Sequence, residues 1–249
     1  MPRLSAVLLS VSDPAELADF YVSFLGMRAR RDAEGWRVGY DGIDADILLR
    51  PGGSGYRHAA TDRYWKIGIT LPNVDIAHAQ LTAAGVVVSQ PHQFRDIGYM
   101  CHLSDPEGFQ IELLQHDFQA NRPTSAGDRS LPLGGGARIG QITLRSTADE
   151  ILPEPFKKLG MRHLSVQPVK DLGFVLHFWA FTQDTPPNPE LDAVENRAWL
   201  WKRPYTTLEI QCVDGLVATA NSGYAGIGVA GLARRLAGDA SNEIRPYPT

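Results

Sequence analysis

One short string occurs twice in this chain. Residues 24–28 read Phe24-Leu25-Gly26-Met27-Arg28, and residues 158–162 read Lys158-Leu159-Gly160-Met161-Arg162. Each copy closes the same succession: a run with strand character, a short polar break, and a helical run that stops at glycine. A third, looser copy closes at Ala84-Gly85-Val86. Such recurrence restricts the fold to an assembly of repeated supersecondary units, none able to bury its apolar face alone.

The first unit opens with a strand over 6–11. Asp13 is placed to cap a helix, with Pro14 at its first position and Glu16 two residues on. Leu17, Phe20, Tyr21, Phe24 and Leu25 recur at helical spacing, and Gly26 ends the run. Three short strands fit residues 27–33, 36–41 and 45–50. The second unit repeats the order: a strand over 65–71, a helix begun by Pro72-Asn73 and ended by Gly85, then strands over 86–88, 99–103 and 109–114. Asp105-Pro106-Glu107-Gly108 forms the turn between the last two. Residues 118–137, rich in Pro, Ser, Gly and Asp and containing Gly134-Gly135-Gly136, read as a flexible linker. No Lys-Ser or Lys-Thr pair follows the glycines, so they do not form a phosphate loop. The third unit spans 139–213, with a loop at 184–189. The fourth is truncated, with an opening strand over 224–230 and a short helix over 232–236. The fold class is α+β. The domains expected are a first module over 1–117, the linker over 118–137 and a second module over 138–249.

The chain has 249 residues, 43% of them hydrophobic, and a net charge of −4 without a long basic run. That balance argues against nucleic-acid binding. No apolar stretch has the roughly 18 residues a membrane helix needs. The N-terminus runs straight into a strand pattern without the features of a signal peptide, and two cysteines, Cys101 and Cys212, cannot make a disulfide framework. A cytoplasmic location follows as the expectation.

The pattern resembles the vicinal oxygen chelate superfamily, which contains glyoxalases, bleomycin-resistance proteins and extradiol dioxygenases. Three stretches carry the resemblance: Val11-Ser12-Asp13-Pro14 leading to Phe20-Tyr21 and Leu25-Gly26-Met27; Lys66 to Asp75 leading to Gly85; and Ser104 to Leu113, close to the family's closing hairpin. The resemblance implies βαβββ units paired into modules whose curved sheets enclose a pocket. It also implies a divalent metal held by His, Glu or Gln from the first and last strands of each unit. In the first unit those positions fall on Ala6 and Ile47, neither a ligand. In the second they fall on Lys66 and Glu112. A charged lysine offers no lone pair, so Lys66 and Glu112 are expected to form a buried ion pair where the metal would sit. In the third unit Gln141 and Glu209 match as half of a glyoxalase-type site. The other half should come from the fourth unit, where the position falls near Gly226 and the closing strand is missing; a partner chain could in principle complete it.

Of seven histidines, His102 alone lies on a strand beside Glu112, and it is the candidate acid–base group. Lys66, Glu112, Tyr99, Gln141 and Glu209 are the candidate ligand-binding residues. Abundant aromatics, among them Trp65, Phe174, Phe178, Trp199 and Trp201, fit either a core and interface or a cavity for a flat molecule. Three functional readings follow. The first is a protein with a degenerate metal centre and no cofactor, which binds a small aromatic or polyoxygenated organic molecule and could transform it without metal. The second is an extradiol dioxygenase or glyoxalase-type lyase using Fe(II) or another divalent metal. The third is a non-catalytic interaction module. The truncated unit leaves an open sheet edge that favours a homodimer.

Overall fold

A computed structural model describes residues 1–147, 153–220, 223–231 and 244–246. The elements run β1 (Arg3–Val11), α1 (Pro14–Leu25), β2 (Arg28–Asp32), β3 (Gly35–Gly39), β4 (Asp46–Pro51), β5 (Tyr64–Leu71), α2 (Val74–Ala83), β6 (His92–Phe94), β7 (Gly98–Ser104), β8 (Gln110–Gln115), β9 (Arg138–Ser146), α3 (Pro153–Lys158), β10 (Arg162–Val169), β11 (Phe174–Ala180), α4 (Glu195–Leu200), β12 (Thr207–Val213), β13 (Tyr224–Ala230) and β14 (Ile244–Pro246).

Local chemistry sets the helix ends. Asp13 accepts hydrogen bonds from the Ala15 and Glu16 amides, Pro14 starts α1, and Gly26 closes it in the left-handed region at φ 68°. Asn73 caps α2 in the same way through the Asp75 and Ile76 amides. The hairpin turn between β7 and β8 is held by Asp105, whose Oδ1 accepts from the Gly108 and Phe109 amides while Oδ2 accepts from Tyr21 of α1 at 2.8 Å. Val86–Val88, expected as a strand, is not one. Only Val88 makes an isolated bridge, to Leu103, and Val87 is 90% exposed. A β-branched run needs a partner edge to become a strand, and only Val88 reaches β7, whose other end pairs with β6.

Strand pairing departs from the expected modules. The first and second units do not share a sheet. One sheet has the order β14-β13-β1-β4-β3-β2 and joins the first unit to the fourth. The other has the order β10-β11-β12-β9-β5-β8-β7-β6 and joins the second unit to the third. The seam is the antiparallel pair β5–β9, with Gly68 opposite Gln141 and Lys66 opposite Thr143. In that sheet β8 and β9 flank the same strand, β5. The fourth unit also keeps more than expected. Besides β13, a three-residue strand, β14, pairs parallel to it as a closing strand. The short helix expected at 232–236 lies outside the described residues.

The segment 118–137 is a packed strap rather than a free joint. Leu133 is fully buried, its amide donates to Gln80 of α2, and Pro132 lies against Gly26. Arg122 Nη1 reaches Asn73, Asp75 and Gln115. Apolar faces of both sheets, α1 and α2 form one continuous core that includes Val7, Ile47, Ile67, Leu81 and Ile142. Hydrogen bonds from the Ala45 amide to Thr206 and from the Ile139 amide to Asp44 tie the sheets together.

Candidate functional site

The four central strands of the eight-stranded sheet, β12-β9-β5-β8, place Glu209, Gln141, Lys66 and Glu112 on one face. Side chains alternate with period two, and the register puts Glu112 opposite Gly68 and Glu209 opposite Thr143. The two halves of the sheet therefore repeat each other about the β5–β9 seam, with Lys66 answering Gln141 and Glu112 answering Glu209. All four are at least 96% buried. The residues expected as two separate half-sites in different modules thus form one cluster. The half that Gln141 and Glu209 lacked comes from the second unit, not from Gly226 or a partner chain. Unit pairing is a long-range backbone event, and single-strand patterns carry no record of it.

The lysine is the hub. Lys66 Nζ donates to Glu112 Oε1 at 2.8 Å and to Glu209 Oε2 at 3.3 Å. It also lies 4.6 Å from the Trp65 ring centroid, a cation–π distance. Trp65 stands in a β-bulge between Tyr64 and Lys66, and a bulge re-aims the local side chains, so that both Trp65 and Lys66 line the same cavity. Gln141 Nε2 donates to Glu112 Oε1 at 2.8 Å, and Thr143 Oγ1 donates to Glu209 Oε2 at 2.7 Å. His102 Nε2 lies 3.0 Å from Glu112 Oε2. The Lys66–Glu112 pair expected from the residues is present, and Glu209 extends it to a triad.

Electrostatics push the two carboxyls apart. Burial raises Glu112, but the Lys66 ammonium and the His102 hydrogen bond outweigh it and hold the group at about 2. Burial also raises Glu209, Lys66 opposes it, and the nearby Glu112 charge reinforces it, so Glu209 stays above the ordinary range. Lys66 is lowered by burial and raised by both carboxylates, with a net upward shift. The folded-state value of Glu112 lies below its ordinary 4.5, so its stabilisation is present above that value and declines as pH falls from about 4.5 towards 2. We expect the urea midpoint to drop across that window in the wild type. The drop should be smaller in Glu112→Gln, whose midpoint at neutral pH is already reduced.

Above the cluster is a cavity of about 270 Å³ whose wall is apolar and aromatic, including Phe94, Met100, Leu114, Phe174, Phe178 and Trp201. Met100 and Leu114 follow from alternation, since each stands two residues from His102 or Glu112. Phe94 and Trp201 arrive from β6 and from the end of α4, an element the sequence reading missed. Gly68 leaves room for the floor, because a Cβ there would lie 2.2 Å from the Gln141 side chain. Gly68→Ala is expected to destabilise the fold by about 1–3 kcal/mol, measurable as a lower urea midpoint.

Several expected placements are corrected. Tyr99 faces away from the cavity and donates from its hydroxyl to Asp75 of α2 at 2.7 Å; its neighbours Met100 and His102 take the cavity side. Of the aromatics left open between core and cavity, Trp65, Phe174, Phe178 and Trp201 line the cavity and Trp199 does not. In the six-stranded sheet the residue matching Glu112 is Leu48, one position beyond Ile47, which faces the core instead. Ala6, Leu8 and Leu48 cluster together there, with Ala225 against them, so that sheet presents no ligand-type side chains at this point.

The donor set does not fit a divalent ion. The cation between the carboxylates is Lys66 itself, whose ammonium already accounts for Glu112 Oε1 and Glu209 Oε2. No metal-type cluster of three or more His, Cys, Asp or Glu occurs among the described residues.

Residues 3–113 match the family model described as the Glyoxalase/Bleomycin resistance protein/Dioxygenase superfamily. No curated protein sequence matches the chain. Among solved structures, glyoxalase I from Zea mays aligns at 15% identity over 92% of this chain and 74% of its own, with a TM-score of 0.63. A proposed dioxygenase from Bacillus subtilis aligns at 12% identity over 91% of this chain and 69% of its own, with a TM-score of 0.57. The sequence match covers residues 3–113, and nearly all of the chain shares the fold of these structures.

Proposed function

We propose that this protein is a metal-independent member of the superfamily that binds a small aromatic molecule in the cavity of the eight-stranded sheet. The observation that carries this reading is the Lys66 ammonium, held between Glu112 and Glu209 at 2.8 and 3.3 Å, where the family places its cation. A flat ligand would pack against Phe174, Phe178 and Trp201 and reach the polar floor. His102, beside Glu112 and one-third exposed, is the group positioned to exchange a proton with a bound molecule, with the Glu112 carboxylate stabilising the charged ring.

Elemental analysis after gel filtration, combined with titration of aromatic compounds followed by tryptophan fluorescence, tests the proposal. We expect well under one divalent ion per chain and saturable quenching from Trp65 and Trp201 that is unaffected by a chelator. One tightly held ion per chain, or quenching abolished by the chelator, would refute it.

A further inference from the structure

The floor of the cavity differs in hydrogen-bonding character from a metal centre. A bound metal presents a Lewis acid and so recruits electron-pair donors such as ligand oxyanions. Here the cationic donor is already occupied. Lys66 faces Glu112, Glu209 and the Trp65 ring, which together account for its three N–H bonds. Arg145, 4.6 Å from the same ring, donates from Nε to Gln211 and from Nη1 to the Ala59 carbonyl. Two acceptor atoms of the buried cluster remain. Gln141 is 2% exposed, and its Nε2 is fixed on Glu112, so its Oε1 is oriented without ambiguity and has no partner among the described residues. Glu209 receives both of its donors on Oε2, which leaves Oε1. A buried carbonyl without a partner is costly, and Gln141 lines the cavity, so a molecule bound there can supply the donor. A carboxylate brings no donor to either atom and would set its own lone pairs against theirs.

We infer that the ligand bound here is an aromatic molecule presenting a hydrogen-bond donor, a phenolic hydroxyl or ring N–H, to Gln141 Oε1, and that aromatic carboxylates are rejected. This inference rests on the metal-independent binding proposed above and names the ligand class for the same cavity.

Three probes of one shape decide it: naphthol, methoxynaphthalene and naphthoate, titrated into the full chain by calorimetry at neutral pH. Naphthol should bind about tenfold more tightly than methoxynaphthalene, the effect of one unmatched buried acceptor, and naphthoate should bind weakest. In Gln141→Leu the preference for naphthol over methoxynaphthalene should disappear while methoxynaphthalene affinity is kept. The wild-type ranking alone is decisive if that variant does not fold. Equal affinities, or naphthoate binding tightest, would overturn the donor assignment and leave the aromatic cavity standing. Failure of all three probes to bind would overturn both.

Discussion

Lys66→Met is expected to destabilise the protein by roughly 3–5 kcal/mol, the cost of leaving a buried charge uncompensated. Methionine keeps most of the side-chain volume, so packing changes little. What is lost is the ammonium 2.8 Å from Glu112 and 3.3 Å from Glu209. The two carboxyls then face each other in a buried setting, and at least one must take up a proton. Urea unfolding at neutral pH measures the effect, and the loss should shrink at pH 4, where Glu209 is readily protonated. The triple variant Lys66→Met/Glu112→Gln/Glu209→Gln should recover most of the stability, because neutral amides can hydrogen-bond to one another without a cation. An unchanged midpoint in Lys66→Met would show that the ammonium is not the counter-charge.

Lys66→His is expected to convert the site into a metal centre. It removes the resident cation and adds a nitrogen lone pair beside Glu112, Gln141 and Glu209, giving four ligand-type side chains on four adjacent strands. Elemental analysis after dialysis against nickel or zinc should rise from well under one ion per wild-type chain to about one per variant chain. The added ion should also raise the thermal midpoint through preferential binding to the folded state. A variant that stays metal-free would indicate that the pseudo-symmetric cluster lacks the geometry to hold an ion, which weakens the equivalence between Lys66 and a family ligand.

Both predictions concern residues legible from the chain alone, and the contrast with what was not legible is physical. Lys66, Glu112, Gln141 and Glu209 each occupy a recognisable place on a first or last strand, because alternation and turn chemistry fix a residue's position within its own unit. That they share one cavity was invisible. The β5–β9 seam is made of backbone hydrogen bonds, and almost any strand sequence can form them. Tyr99 was misplaced and Ile47 was off by one for a related reason: with a period of two, a one-residue error in phase reverses the face. The strap over 118–137 has the composition of a linker, yet Leu133 is buried and its amide donates to Gln80 of α2, while Pro132 lies against Gly26 at the end of α1.

The sequence by itself determined the repeated unit, its caps and turns, and the chemical identity of the four inward positions, because these depend on interactions a few residues apart. Only the tertiary structure decided that the second unit pairs with the third. That pairing brings Lys66 into contact with Glu209, 143 residues away. The ammonium's role as shared counter-ion depends on which strands lie side by side, and that is set by the packing of the whole chain.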